Sequence, residues 1–556
     1  MTEIQPRYVS LDGLFNGKLF RIPPYQRNYS WTKRQRDDLF NDIKRIMGAG
    51  DGKIHFMATV VGLEREKTLI STKEYQVIDV VDGQQRLTTL VLFLKAVSKA
   101  LGQFKDNGIV IAKELEQLLV KPDKVSSLLL QTNHDSSSYF QNYLRTGEHP
   151  GSSVAETLAD KELLRAIEEC ENFLETNSPD EQSLEDLVSI LRNRLKFVFY
   201  ELDDEGSVYT VFEVLNSRGL EVSWFDRTKS LLMGMVFESG EGTRAQTIDE
   251  IHREWAEIYR CIGLRIGLST ESLRFAATLR LRECPSRSLG EEDASETLVS
   301  TSSGGLDKIV DTTKWLRRVT SAVDKLYADS RKDAVTKIAQ ARLVATSIYL
   351  RADLNESEKS QILKRWESVS FRIFGMLRKD ARTAVGDYVR LAWRIRNRRL
   401  ATTEIMSELE SIGSNYPIGE AIDALRHVDC YNEWQNELRY FLGKYEEYLS
   451  KESGQIFSNE QWSRIWEANA SESIEHILPQ SSGQKYVHWI GNLTVLPPRL
   501  NSQLGDDRPK EKADMYLKTG LLVTREVVGD LPKWGRSMIE EREERLLRWA
   551  NKEWTD

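Results

Sequence analysis

Residues 473–516 read SIEHILPQSSGQKYVHWIGNLTVLPPRLNSQLGDDRPKEKADMY, and this stretch holds the chain's densest set of chemically useful side chains. Glu475-His476 comes first, then Gly491-Asn492-Leu493, then Leu500-Asn501, then Lys512. An imidazole can deprotonate water near neutral pH. An oxygen-rich, incompletely filled site can hold a hard divalent cation against a phosphate. One amide can orient the histidine, and a second on a following helix can complete the protein's share of the metal ligands. These are the parts of a compact phosphodiesterase built from a two-stranded ribbon and one helix. SIEHILP would form the first strand and its loop, WIGNLTVLP the loop and second strand, and PRLNSQLG the start of the helix. His488 has no matching partners in the sequence and is read as structural.

A second constellation interrupts YQVIDVVDGQQRLTTLVLFL, residues 75–94, where Asp82-Gly83-Gln84-Gln85-Arg86 separates two apolar runs. A strand, a glycine turn and then a helix leave unpaired backbone N–H groups and a positive dipole end beside Gly83. Arg86 adds a fork suited to phosphate oxygens. Gln84 and Gln85 can donate and accept together, as a base edge, a ribose or a water requires. Asp82 could hold Mg²⁺ or receive Arg27. The sequence predicts a phosphate cradle that is not a P-loop, since no GxxxxGK[ST] is present. The plainer alternative is a turn whose arginine pairs with a neighbouring acid.

Positioning these groups requires an α+β chain that is predominantly helical. HFMATVVGLE and YQVIDVV read as neighbouring strands, and LKFVFYEL (195–202) as a third. SWTKRQRDDLFNDIKRIM reads as an amphipathic helix capped by Ser30 or Thr32. Segments such as TRAQTIDEIHREWAEIYRCI and DALRHVDCYNEWQNELRYFLGKYEEYLS carry helical periodicity. The Ser/Gly/Glu-rich stretch 285–305 reads as a mobile loop. The texture suggests domains over 1–235, 236–455 and 456–556.

Hydrophobic residues at 40% and charged ones at 29% are ordinary for a globular protein. No apolar run is long enough to span a bilayer. No secretory signal is apparent, and Cys170, Cys261, Cys284 and Cys430 form no CxxC pair. A reduced, cytoplasmic setting is expected. The net charge of −8 excludes a uniformly basic coat but not a local phosphate-binding patch. Residues 364–399 offer such a patch, with solvated helix faces as the other reading.

The 473–516 segment resembles the HNH (ββα-metal) nucleases. That resemblance implies His476 as general base and Glu475 and Asn501 as metal ligands. It also implies that Asn492 positions the imidazole or braces the loop, and that Lys512 contacts phosphate. Asn501 stands where many relatives close with histidine, which favours Mg²⁺ or Mn²⁺ over zinc or nickel. In the first half, IPPYQRNYSW (22–31), HFMATVVG (55–62), VVDGQQRLTTL (80–90) and LNSRGLEVSWFDRTKSLL (215–232) occur in that order. Together with the C-terminal segment they resemble the GmrSD family of modification-dependent (type IV) restriction endonucleases. The resemblance implies a ParB-like nucleotide-binding and sensor module over 1–235, a helical coupling domain over 236–455 and an HNH-type nuclease over 456–556. Gln26, Arg27, Asn216, Arg218, Asp226 and Lys229 would then face the Asp82–Arg86 cradle. A nucleoside triphosphate, modified phage DNA and a divalent cation are the implied partners. Cutting both strands with one nuclease site per chain would call for a homodimer or sequential nicking. Two other readings stay open: a nucleotide-switched DNA-binding protein with a degenerate nuclease fold, and an effector that cuts DNA irrespective of modification.

Overall fold

The computed structural model describes residues 6–49, 53–105, 107–123, 127–132, 137–149, 157–204, 211, 223–238, 244–456, 458–466 and 470–555. The chain folds into two compact units. One holds residues 1–273 and 291–320, the other 274–290 and 321–556, so the helical stretch between 236 and 455 is shared between them. Both are mixed α+β and mostly helical.

The first unit is organised on a six-stranded mixed sheet. In chain order the strands are β1 (Arg7–Ser10), β2 (Lys18–Ile22), β3 (His55–Ile70), β4 (Lys73–Asp82), β5 (Leu130–Thr132) and β6 (Leu195–Leu202). Their spatial order is β1-β6-β3-β4-β2-β5. The long β3–β4 pair is antiparallel, while β6 runs parallel to β3 and β2 parallel to β4. The helix Gln84–Leu101 leaves the end of β4 and is buried along most of its length, which explains its near-continuous apolar sequence. The helix Lys33–Met47 begins at Thr32 with a capping box to Gln35 and buries Leu39, Phe40, Ile43 and Ile46.

The stretch read as a mobile loop holds the helix Glu291–Thr301. Its apolar face, Ala294 and Leu298, is fully buried, and Ser295 meets Thr228 at 2.8 Å. Polar composition hid a narrow apolar stripe. The segment Val208–Val222, including Asn216 and Arg218, lies outside the described residues except at Val211.

In the second unit, helices surround a two-stranded antiparallel ribbon, β7 (Ile474–His476) and β8 (Leu493–Val495), in which His476 is opposite Leu493. A short helix, Pro498–Leu504, follows the ribbon. The helical pattern over 423–450 is interrupted: its helix begins only at Gln435. His427 has a positive φ of 56°, and the Asp429 carboxylate accepts from the backbone N–H groups of Tyr431 and Asn432 at 2.9 Å. A short acidic side chain that satisfies the backbone locally competes with the helix. The resulting loop becomes part of the site below. Among the described residues, no helix is long and apolar enough to cross a membrane.

Candidate functional site

The ribbon brings its chemistry together through alternate use of β7. Successive strand side chains project to opposite faces. Glu475 turns into a buried pocket, where its Oε1 accepts from Lys512 Nζ at 2.7 Å and from the Tyr516 hydroxyl at 3.1 Å. His476 turns the other way. Its Nε2 lies 3.0 Å from Nδ1 of His488, its Nδ1 lies 3.2 Å from the Gln480 amide, and the Tyr431 ring sits edge-on at 4.4 Å. Tyr431 also stacks on His488. Burial, with His488 and Lys512 adding to it and Asp429 opposing, lowers the His476 pKa to about 3. The imidazole is therefore neutral near pH 7, the form able to accept a proton.

The two asparagines play different parts. Asn492 is fully buried and committed to the loop. Its Oδ1 accepts from Leu478 N and Trp534 Nε1, while its Nδ2 donates to Leu478 O and Val487 O. Of the two roles expected for it, the bonds are those of a loop brace. Asn501 is half-buried in the middle of its short helix, and its Nδ2 donates to Glu472 O and Ile474 O, tying it to the strand that carries His476. Gly491 lets the loop close on the C-terminal helix Arg536–Glu553: a Cβ there would lie 2.0 Å from the carbonyl oxygen of Ile539. Arg542 completes this join by donating to Gly491 O and Leu493 O.

Two expectations need correction. Lys512 is fully buried and bonded to Glu475 and to His476 O, so its ammonium is not presented to a phosphate. His488, read as structural, touches the key imidazole directly. No spacing rule links residues 476 and 488; only the fold does. For a metal beside the imidazole, these bonds leave Asn501 Oδ1; Glu475, expected as the other ligand, is buried with Lys512 and Tyr516 on the opposite face of β7. Among the described residues no group of three His, Cys, Asp or Glu side chains could hold an ion.

At the other constellation, Gly83 takes φ +92°, a left-handed turn that a side chain would strain, and a Cβ there would approach Val60 Cγ2 to 3.1 Å. The glutamines serve as fasteners more than as readers of a ligand. Gln85 accepts from Ser30 N at 2.8 Å and donates to Asn28 O at 3.0 Å. Gln84 donates to Arg27 O, and Gln26 donates to Val81 O. The PYQRNYS segment is thereby stapled to the start of the helix. Arg27 does not reach Asp82; it pairs with Asp226, which also accepts from the Tyr259 hydroxyl at 2.7 Å. Burial works against the Arg27 charge, yet Asp226 more than offsets it and holds the guanidinium above its ordinary value.

Lys229 is likewise sealed in. Its ammonium donates to Tyr25 O at 2.8 Å among the Tyr25, Tyr259 and Trp255 rings, and burial lowers its pKa to about 7. His252, stacked on Tyr25 at 3.8 Å, completes this cluster. The His252, Trp255 and Tyr259 spacing marks one helix face, but read alone it signals only core. Arg86 stands apart, with no hydrogen bond or ion pair among the described residues and its guanidinium 5.6 Å from the Trp31 ring centre. Burial raises the Asp82 pKa, although the Gly83 N–H and Arg86 pull it down. The cavity lined by Arg27, Tyr29, Gln84 and Thr88 measures only ≈ 20 Å³, room for about one water. Arg86, half-buried, and the start of the helix lie outside that cavity.

A family model described as the GmrSD restriction endonuclease N-terminal domain matches residues 11–233, and one for the C-terminal domain of GmrSD restriction endonucleases matches residues 418–549. The chain belongs to the GmrSD restriction endonuclease family. No curated protein matches it. The GmrSD C-terminal match begins ahead of the ribbon and includes Asp429 and Tyr431, so the loop against His476 belongs to the matched region. The GmrSD N-terminal match takes in the Asp82–Arg86 turn and the Arg27–Asp226 pair. Membership makes the chain a restriction endonuclease of the phage-defence type.

Proposed function

We propose that the chain is a nucleotide-regulated, divalent-cation-dependent DNA endonuclease that cleaves modified phage DNA by HNH-type hydrolysis. The observation that carries this reading is the neutral His476, held between His488 and Gln480 on β7 while Asn501 is tied to the same strand. With His488 Nδ1 accepting, His476 carries its proton on Nε2 and keeps a lone pair on Nδ1. Gln480 is exposed, and its long 3.2 Å contact to Nδ1 is one that a substrate water can replace. That water gives a proton to Nδ1 as its oxygen bonds to phosphorus, the P–O bond to one ester oxygen breaks, and that oxygen leaves as an alkoxide that takes its proton from solvent. An anionic phosphate beside the imidazole raises its basicity towards the working range.

Asn501 Oδ1 is the protein oxygen that would hold Mg²⁺ or Mn²⁺ on this side of the ribbon, with water and phosphate supplying the rest of its shell, and the ion's charge would stabilise the phosphate's growing negative charge. The Glu475–Lys512 pair fixes the β7 backbone through Lys512 and His476 O. In the N-terminal unit, Arg86 and the N–H groups after Gly83 would take the phosphates of a nucleoside triphosphate, with Trp31 beside them. Hydrolysis there would gate cleavage by shifting the population of a cutting-competent state. The test is to incubate pure protein with modified and unmodified plasmid, with and without each triphosphate and Mg²⁺. The reading expects cleavage confined to modified DNA, dependent on a triphosphate and Mg²⁺, and lost in His476→Ala. Equal cutting of both plasmids contradicts the modification dependence.

A further inference from the structure

Residues 234–417 fall between the two family matches. Within them, residues 377–399 carry eight Lys or Arg against two Asp, in a chain whose net charge is −8. The start of this segment, Leu377–Ala384, is a loop joining the π-helical turn Phe371–Met376 to the helix Val385–Asn397. Its backbone is pinned from several sides. The Gln340 amide, itself buried, donates to Ala381 O at 2.9 Å and Thr383 O at 3.1 Å. Lys379 N donates to Ile373 O, and the preceding turn receives Trp434 Nε1 at Gly375 O. Arg378 takes a positive φ of 51° and reaches Glu433 at 3.1 Å and Asp429 O at 3.5 Å.

Those last contacts join the loop to the nuclease centre. Cys430 N donates to His488 O at 2.9 Å, and Tyr431 lies against both His476 and His488. Consecutive Cα atoms are 3.8 Å apart, so Asp429 and Tyr431 are separated by at most about 7.6 Å. Phosphates recur about every 3.4 Å of helix rise on each strand, so one duplex lying over His476 extends its phosphates along the loop connected to it through Asp429 and Arg378. Lys379 and Arg382 are exposed and have no carboxylate partner among the described residues. Asp380, the one acid between them, uses its Oδ1 on Arg382 N and the Thr383 hydroxyl.

We propose that Leu377–Ala384 is a DNA-backbone clamp: Lys379 and Arg382 grip phosphates flanking the scissile bond, and Arg378 locks the clamp to the active-site loop. The segment expected only to couple two domains thus also binds substrate. This rests on the nuclease reading of His476, and the test separates the two. Binding of a labelled duplex is measured across salt concentrations in the His476→Ala background, with and without Lys379→Ala/Arg382→Ala. Each lost phosphate contact lowers the slope of log affinity against log salt by about 0.9, so the double variant's slope falls by about 1.8. Its deficit then shrinks about twelvefold between 50 and 200 mM salt, since 4 raised to 1.8 is about 12. The charge-keeping Lys379→Arg/Arg382→Lys variant retains the slope. An unchanged slope in the alanine variant, or equal loss in the charge-keeping one, overturns the clamp. Cleavage undiminished by His476→Ala alongside the expected slope change would defeat the nuclease reading and leave the clamp standing.

Discussion

Substituting Lys512→Met should expose how the Glu475–Lys512 pair supports β7. The ammonium is fully buried and makes two 2.7 Å bonds, to Glu475 Oε1 and His476 O. Its removal leaves a buried carboxylate with no cation, facing the Tyr516 hydroxyl and the His476 backbone N–H, and breaking a buried pair this way costs about 3–5 kcal/mol. Protonation of Glu475 limits that loss. Burial already raises its pKa above the ordinary 4.5, despite Lys512, and without Lys512 it rises further. Taking up a proton at pH 7 from an unfolded value of 4.5 costs about 2.5 × 1.36, or roughly 3.4 kcal/mol; at pH 5 it costs about 0.7 kcal/mol. The sign follows from linkage: the folded variant binds a proton that the unfolded chain releases above pH 4.5, so its stability falls as pH rises from 4.5 to 7. Calorimetry of the full chain should show the C-terminal unit's transition lowered by about 7–14 °C at pH 7, taking roughly 2–4 °C per kcal/mol for a unit of this size. Most of that deficit should vanish at pH 5. Glu475→Gln/Lys512→Met should recover much of the stability and lose the pH dependence. A deficit that is equal at both pH values would mean that Glu475 takes up no proton when Lys512 is lost.

Other outcomes follow from single contacts. Gly491→Ala drives a methyl against Ile539 O, and should cost at least about 1–3 kcal/mol in denaturation while reducing cleavage through displacement of β8. Asn492→Ala removes four hydrogen bonds from a fully buried amide and should lower the C-terminal unit's melting temperature, whereas Asn501→Ala at a half-exposed position should abolish cleavage with little change in melting. Lys229, ordinarily near 10.5 and lowered to about 7 by burial, binds its proton more weakly folded than unfolded. The N-terminal unit should therefore gain stability from pH 7 to pH 10, and Lys229→Met should lose that rise in pH-dependent calorimetry. Arg86→Ala should eliminate triphosphate hydrolysis measured by phosphate release.

What could be read from the chain was local. β3, β4 and β6 announce themselves as β-branched and aromatic runs, and Thr32 with Gln35 spells out a helix start. The ribbon was legible because Glu475-His476, Gly491-Asn492 and Asn501 occur at the spacing of a strand, a loop and a helix. What escaped depends on contacts between distant segments. Lys512 looks like a surface cation until Tyr516 and Glu475 enclose it, and His488 has no signal until the ribbon folds it against His476. The break at His427–Trp434 is invisible to periodicity, because Asp429 wins the backbone locally. In the N-terminal unit, Gln84 and Gln85 have side chains equally suited to a ligand and to a neighbouring backbone; the backbone took Gln85, while Gln84 Oε1 is buried without a hydrogen-bond partner among the described residues.

The most direct measurement is divalent-ion-dependent cleavage of susceptible DNA by the His476→Ala and Asn501→Ala proteins, each first shown to melt like the parent chain. Both variants should lose cleavage while duplex binding persists. Cleavage at parental rates by either variant would contradict the roles given to these two residues.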